Sequence, residues 1–339
     1  MEALETVDVQ SIVVETVSKV FDTMLTMDMD FIESMSQSYL YGNRILGSIN
    51  LMGRVMGIVN VQVGSDFAQA MTAAMLGLEP EETGDDEAVK DVVGEVCNMI
   101  SGGIKSALCD AGLDCELSTP GLTRGKDYRL DSSPMTRREY YTFYHGDHLM
   151  LVDVGLKLSD GEGIEEGNGE AVADASGGQV MNFDVGGSVC AAVRDVFDTM
   201  LDMDVQPGSG LPEPGGGQGR IVGSISLTGC VGGRVNVEVT EPFSRRMAGA
   251  MLDLEQDEID DPEGVRDVIG EVCNMISGAL KSDLCDAGLT CRLSPPSFTS
   301  GVDFQMESLF LSRQERFVFY QGPNPIVVEV GLRATDPSA

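Results

Sequence analysis

The sequence predicts an α+β fold made of two tandem copies of one unit, each with a largely antiparallel sheet and helices on one side of it. Three observations support this prediction. First, residues 91–116 are repeated as residues 267–292, with 20 identical residues in 26 and an offset of 176. Second, the same offset aligns other segments along most of the chain, such as 20–25 with 196–201. Third, helical and strand periodicities follow one another without a repeating βαβ pattern. So long a period indicates duplication of a whole unit rather than a stack of short repeats.

The repeat divides the 339 residues into a first unit at 1–158, a linker at 159–183 and a second unit at 184–339. Each unit is long enough to bury a core of its own. The linker is rich in glycine and acidic residues and has no basic residue, which is typical of a flexible connection. The copies differ most at 29–42 and 205–218, where the glycines and prolines of the second copy predict a mobile loop.

The predicted order within each unit is helix, two strands, two helices and three strands, that is helix-β-β-helix-helix-β-β-β. Apolar residues at helical spacing predict the helices, and alternating apolar residues bounded by glycines predict the hairpin and the later strands. In the first unit these elements fall at 9–27, 44–51, 54–63, 66–76, 86–110, 114–118, 137–144 and 149–157.

The last helix of each unit, at 86–110 and 262–286, has clear start and stop signals, and we call these two the motif helices. Pro262 suits the first helical position, where its missing N–H is not needed. Gly112 and Gly288 follow the last periodic residues, where a left-handed residue commonly ends a helix.

Each motif helix has an apolar and a polar side. The residues expected to face the core of the first unit are Val92, Val96, Met99, Ile100 and Leu108. The polar residues are Asp91, Glu95, Asn98 and Lys105, repeated as Asp267, Glu271, Asn274 and Lys281. Glu95 and Asn98 are neighbours on one surface because they are three residues apart. An ordinary solvated surface explains this spacing equally well, and recent duplication explains its repetition, so spacing alone does not establish a site.

The formal net charge of −33 argues against binding to nucleic acids or anionic membranes, which both require basic surfaces. It is compatible with a partner that has a basic or metal-bearing surface, and equally with a saline habitat. No apolar run approaches about 18 residues, so no membrane span is expected. The acidic N-terminus lacks the basic start of a signal peptide, which indicates a cytoplasmic protein.

The eight cysteines include no Cys-x-x-Cys pair, and the two histidines, His145 and His148, occur in one copy only. A metal site is therefore not expected. Buried, reduced thiols are the favoured interpretation. A disulfide between Cys109 and Cys115 is also possible from the sequence.

The Asp-x-x-x-Glu-x-x-Asn spacing on the motif helix, followed by a β-rich segment, resembles the chemotaxis phosphatase family of CheC, CheX and FliY. Its pattern is an Asp or Ser, a Glu four residues on, an Asn three further, and a Pro a little over twenty residues later. The matching residues are Asp91, Glu95, Asn98 and Pro120, and again Asp267, Glu271, Asn274 and Pro296. The resemblance covers each unit and implies two CheX-like units packed as an intramolecular pseudo-dimer.

The resemblance implies a phosphatase acting on the aspartyl phosphate of a CheY-like response-regulator receiver domain. Asn98 and Asn274 would orient the attacking water, and Glu95 and Glu271 would pair with a lysine of the receiver. No cofactor or metal of its own is implied, because the receiver brings the Mg²⁺. The supporting acids are Asp91 and Asp267.

Two alternatives remain from the sequence. One is a non-catalytic adaptor or flagellar-switch-like binding protein in chemotaxis signalling, which is less favoured because both copies retain Glu and Asn. The other is a small-molecule sensor, for which no convergent charged or aromatic residues are visible. A conventional hydrolase is disfavoured because there is no Gly-x-Ser-x-Gly segment and no Cys/His pairing.

Overall fold

The computed structural model describes residues 2–32, 42–78, 83, 86–159, 177–210, 217–253 and 262–335. The α+β class is confirmed, and the chain forms two compact units. The first unit consists of Met1–Lys126, Pro134–Asn168 and Phe304–Phe310, and the second of Asp127–Ser133, Gly169–Asp303 and Leu311–Ala339. Residues 160–176, most of the predicted linker, lie outside the described part of the chain.

The first half of the chain contains four α-helices, one π-helical turn and seven strands among its described residues. The helices are α1 (Glu2–Glu5), α2 (Val9–Val20), the π-helical turn (Phe21–Leu25), α3 (Ser65–Leu76) and α4 (Asp86–Asp110). The strands are β1 (Asp30–Ile32), β2 (Arg44–Gly53), β3 (Val55–Gly64), β4 (Cys115–Leu117), β5 (Gly121–Ser132), β6 (Arg137–His145) and β7 (His148–Leu158).

The second half repeats this order. Its helices are α5 (Gly177–Asn182), α6 (Val185–Leu201), α7 (Glu241–Leu252) and α8 (Pro262–Asp286). Its strands are β8 (Gln206–Pro207), β9 (Arg220–Gly229), β10 (Val231–Thr240), β11 (Cys291–Leu293), β12 (Ser297–Ser308), β13 (Arg313–Gln321) and β14 (Asn324–Ala334). The motif helices α4 and α8 occupy the predicted residues.

The strand pairings within each half are antiparallel, as predicted. In the first half the strand order is β1-β6-β7-β3-β2-β5, with β4 also paired to β2. In the second half it is β8-β13-β14-β10-β9-β12, with β11 paired to β9. Short connections favour this arrangement, because a hairpin joins neighbouring antiparallel strands directly.

Four strands are missing from the order predicted from the sequence: the short strands β1 and β8, and the longer strands β5 and β12. Strand β5 carries five charged residues and Gly125, so it does not alternate between apolar and polar residues. Beyond its first three residues only Tyr128 is buried. The strand is therefore specified by its pairing with β2 rather than by a local pattern.

Helix α5 lies at the end of the predicted linker, which is therefore structured over these residues. It corresponds to α1, and Val180 is buried at 1% exposure as Leu4 is at 3%. Arg313 donates hydrogen bonds from Nη1 to the carbonyl oxygens of Val180 at 3.0 Å and Phe183 at 2.7 Å. Two glycines at its start weaken the helical signal in the sequence. The prediction of a mobile loop at 205–218 is wrong at Gln206–Pro207, which form strand β8 through pairing with β13. Residues 211–216 of that segment lie outside the described residues.

The motif helices lie very close to the sheet because glycine occupies the contact. A Cβ added at Gly47 in β2 would lie 2.8 Å from Cβ of Cys97. A Cβ added at Gly223 in β9 would lie 2.4 Å from Sγ of Cys273. Both cysteines are buried, so each helix is held against its sheet by backbone-to-side-chain contact.

The contact between α2 and α4 also depends on a glycine. A Cβ added at Gly103 would lie 2.4 Å from Cγ2 of Thr16. In the second half the equivalent residues are Ala279 and Ala192. The helix that has glycine in the first half therefore has a methyl group here, and its partner helix has a smaller side chain than threonine. The two halves therefore preserve the packing by paired changes.

We expect Gly103→Ala to lower the free energy of unfolding by about 1–3 kcal/mol, because the added methyl group overpacks a β-branched neighbour. Adding Thr16→Ala to this variant should restore much of the loss, which urea unfolding followed by circular dichroism measures. The matched control is Gly102→Ala, where a new Cβ meets nothing within 4 Å. This control should gain about 0.5–1 kcal/mol, since glycine is a poor helix former. Equal effects of the two glycine substitutions would contradict the packing argument.

Candidate functional site

The motif helices place the six predicted site residues on their solvent side. Asp91 and Asp267 are exposed, as are Glu271 and Asn274 of the second unit, whereas Glu95 and Asn98 of the first unit are partly buried. Among the described residues, none of these six side chains forms a hydrogen bond or an ion pair. Their polar atoms are therefore available to a second molecule.

The opposite side of each motif helix is fully anchored. In α4 the predicted core residues Val92, Val96, Ile100 and Leu108 are buried, and Met99 is partly buried against the same core. A helix fixed by packing over several turns holds its exposed side chains in a constant register. The site is thus rigid in its backbone, while its side chains remain free to meet a partner.

Ion pairs flank the site residues at their N-terminal side. Lys90, next to Asp91, lies 2.9 Å from Glu307, and Arg266, next to Asp267, lies 2.8 Å from Asp131. The carboxylate of Glu307 holds the pKa of Lys90 above its ordinary value. Sequence analysis missed these pairs, because the first one joins residues that are 217 positions apart. The only signal was the recurrence of a basic residue before each motif acid.

Each motif glycine allows another element to approach between the acid and the glutamate. A Cβ at Gly94 would lie 2.3 Å from Cδ1 of Leu309, which is 8% exposed and part of the first unit's core. A Cβ at Gly270 would lie 3.0 Å from the ring of Phe298 and 3.5 Å from Cγ of Pro296. In the second unit the proline of the motif therefore packs against the motif helix at Gly270.

The chemistry available at this surface is limited to hydrogen bonding and charge. The described residues contain no group of three or more His, Cys, Asp or Glu side chains arranged to hold a metal ion. Neither histidine belongs to a motif helix, since both flank the β6–β7 turn, where His148 stacks on Phe67 with ring centroids 5.0 Å apart. A carboxylate and a carboxamide without a nucleophile can position groups that another molecule supplies. In the part of the chain that the structure describes, no helix is long and apolar enough to span a membrane.

Comparison with known proteins gives one family and several similar folds. The family model for the chemotaxis phosphatase CheX matches residues 45–143 and 221–320, one segment in each repeat. No curated protein sequence matches the chain.

Three solved structures illustrate the similarity. The chemotaxis protein CheX from Desulfovibrio desulfuricans is 22% identical, with a TM-score of 0.40, over 44% of this chain and 100% of its own. A CheC-like superfamily protein from Shewanella sp. PV-4 is 23% identical, with a TM-score of 0.40, over 45% of this chain and 99% of its own. The CheX–CheY–BeF3–Mg complex from Borrelia burgdorferi matches at 18% identity and a TM-score of 0.35, over 44% of this chain and 98% of that chain.

Proposed function

Because the chain belongs to the CheX family of chemotaxis phosphatases, we propose that it accelerates hydrolysis of the aspartyl phosphate of a CheY-like receiver domain. The observation that carries the proposal is a carboxylate and a carboxamide on the solvent side of one rigid helix, without partners among the described residues. The pair occurs in both units, partly buried in the first and exposed in the second. Groups held in this way suit a reaction whose other components lie in the partner.

Asn98 and Asn274 are the water-orienting residues in this proposal. A carboxamide donates and accepts hydrogen bonds and does not titrate, so it can hold a water molecule in line with the phosphorus at any physiological pH. Phosphoryl transfer passes through a loose transition state, and positioning the nucleophile is a large part of its catalysis. The Mg²⁺ and the lysine that stabilise the phosphoryl charge belong to the receiver in this scheme.

Glu95 and Glu271 are the docking residues. A carboxylate one helical turn from the amide can pair with the receiver's lysine and so fix the register between the two surfaces. Asp91 and Asp267 add negative charge on the same side and have a supporting role.

The direct test is the half-life of phosphate on a receiver domain that has been phosphorylated by a small phosphodonor, measured with and without the full chain. The proposal expects a shorter half-life that depends on the chain's concentration. Binding of the receiver with an unchanged half-life would instead identify the chain as a non-catalytic adaptor.

Glu95→Gln together with Glu271→Gln should raise KM for the phosphorylated receiver about tenfold and leave kcat nearly unchanged. The reason is that a charge-assisted hydrogen bond is worth roughly 1.5–3 kcal/mol and about 1.4 kcal/mol corresponds to tenfold in binding. The matched control is Asp110→Asn with Asp286→Asn, two exposed acids at the far end of the same helices. A similar rise in KM for the control would show that general charge, rather than docking by the glutamates, controls binding.

A further inference from the structure

Two cysteines lie near each other where each motif helix turns into the following strand. In the first unit the helix ends at Gly112, which has φ of +76°, and the chain folds back so that Cys115 in β4 reaches the last turn. The amide of Leu113 donates to the carbonyl of Leu108 at 2.9 Å, which closes this turn. Cys109 in that turn directs its Sγ toward the carbonyl oxygen of Cys115 at 3.9 Å.

The second unit repeats the arrangement. Gly288 has φ of +81°, and the amide of Leu289 donates to the carbonyl of Leu284 at 2.8 Å. Cys285 and Cys291 occupy the positions equivalent to the first pair, and burial, followed by the neighbouring Cys285 thiol, raises the pKa of Cys291 to about 12.

The two thiols of a pair differ in access. Cys109 is partly exposed, whereas Cys115 is only 7% exposed. Burial, and then the neighbouring Cys109 thiol, raises the pKa of Cys115 to about 12, although Lys105 one turn earlier opposes this. Cys115 is therefore a protonated interior thiol at neutral pH, and Cys109 is the thiol that meets a dissolved reagent first.

We propose that each unit contains a redox-active dithiol, which hydrogen peroxide closes into the disulfides Cys109–Cys115 and Cys285–Cys291. The sulfur of the partly exposed cysteine attacks one peroxide oxygen, the O–O bond breaks, and sulfenic acid and water form. The buried thiol then attacks that sulfur, the S–S bond forms, and the sulfenic oxygen leaves as a second water molecule. In total, two thiols and one peroxide give one disulfide and two waters.

Closure of this pair ties the end of the motif helix to the strand beside it. A disulfide removes conformations from the unfolded chain, so the oxidised unit resists denaturant better than the reduced unit. The linked residues lie at the last turn of the helix, about 16 Å along its axis from Asn98 at 1.5 Å per residue. The oxidised protein therefore keeps the polar surface of its motif helices open.

The second unit has a third thiol, which offers a competing partner and so allows the proposed pairing to be tested. Cys230 lies beside this pair, and Thr290 Oγ1 is 3.2 Å from its Sγ. The first unit has Arg54 at the equivalent position, where Nη1 donates to the carbonyl of Gly112 at 2.9 Å. The sulfur of Cys230 is thus the alternative partner for Cys291, whereas the first unit offers no such choice.

The test treats the reduced full chain with hydrogen peroxide, blocks remaining thiols with iodoacetamide, and maps the peptides by mass spectrometry without reduction. We expect both disulfides, the loss of two hydrogen atoms for each, loss of iodoacetamide labelling at all four cysteines, and full recovery after dithiothreitol. Oxidation should also raise the urea midpoint. Cys115→Ser with Cys291→Ser should remove that rise, whereas the control Cys190→Ser should retain it.

Two results would overturn the proposal. One is a Cys230–Cys291 disulfide in the second unit in place of Cys285–Cys291. The other is oxidation that ends as sulfinic acid on Cys109 and Cys285 with no disulfide. Both are read from the peptide masses of the wild-type chain, so the conclusion does not depend on the folding of a variant.

Discussion

Alanine at both Asn98 and Asn274 is expected to reduce the acceleration of receiver dephosphorylation by on the order of 100-fold, because misplacing a reacting group by about an ångström costs that much. The substitution removes the only group in each proposed site that can both donate to and accept from water. Neither amide takes part in the described internal hydrogen bonding, so the fold should be unaffected. The measurement is the half-life of receiver phosphate at saturating concentrations of the double variant.

The matched control is Ser106→Ala with Ser282→Ala. Both serines are exposed on the same helices, and each hydroxyl donates to a carbonyl of its own helix at 3.0 Å. This control should keep wild-type activity. A double asparagine variant that still shortens the half-life as the wild type does would reject the water-orienting role. Each single asparagine variant should retain the activity of the other site.

Gly223→Ala is expected to lower the free energy of unfolding by about 1–3 kcal/mol, through overpacking of the contact between β9 and α8. The added Cβ would lie 2.4 Å from Sγ of Cys273, which is 1% exposed and cannot move toward solvent. Burial raises the pKa of Cys273 to about 12, so its side chain is a neutral thiol that packs as an apolar group. Urea unfolding of the full chain measures the loss.

A second substitution distinguishes this packing effect from a general intolerance of alanine. Cys273→Ala removes the sulfur and leaves its own Cβ 3.7 Å from the new methyl group, an ordinary contact, so the double variant should recover much of the loss. The first unit supplies the control, because a Cβ at Gly47 would lie 2.8 Å from Cβ of Cys97 itself. Cys97→Ala should therefore fail to rescue Gly47→Ala. Rescue in both units, or in neither, would contradict the geometry.

Local signals in the sequence were sufficient for the motif helices. The predicted bounds of 86–110 and 262–286 agree with Asp86–Asp110 and Pro262–Asp286, and the polar and apolar sides were assigned as the structure has them. Helix caps and a period of 3.6 residues act over a few positions, so one segment carries its own evidence. The duplication presents each element a second time in the same chain.

Long-range partners could not be predicted in the same way. Strand β5 exists because it pairs with β2, and Lys90 is held by Glu307, which is 217 residues away. No local pattern encodes such a distance, since pairing depends on which surfaces the whole fold brings together.

The amino-acid sequence was sufficient to predict the duplicated α+β unit, its motif helices, and an acid, a glutamate and an asparagine on the polar side of each. Three features became visible in the folded chain alone: the contact of Gly47 and Gly223 with the buried cysteines, the ion pairs beside the motif, and the greater exposure of Glu271 and Asn274 than of Glu95 and Asn98. Helix formation and amphipathic pattern depend on neighbours along the chain, whereas packing distance and exposure depend on residues that come into contact when the chain folds.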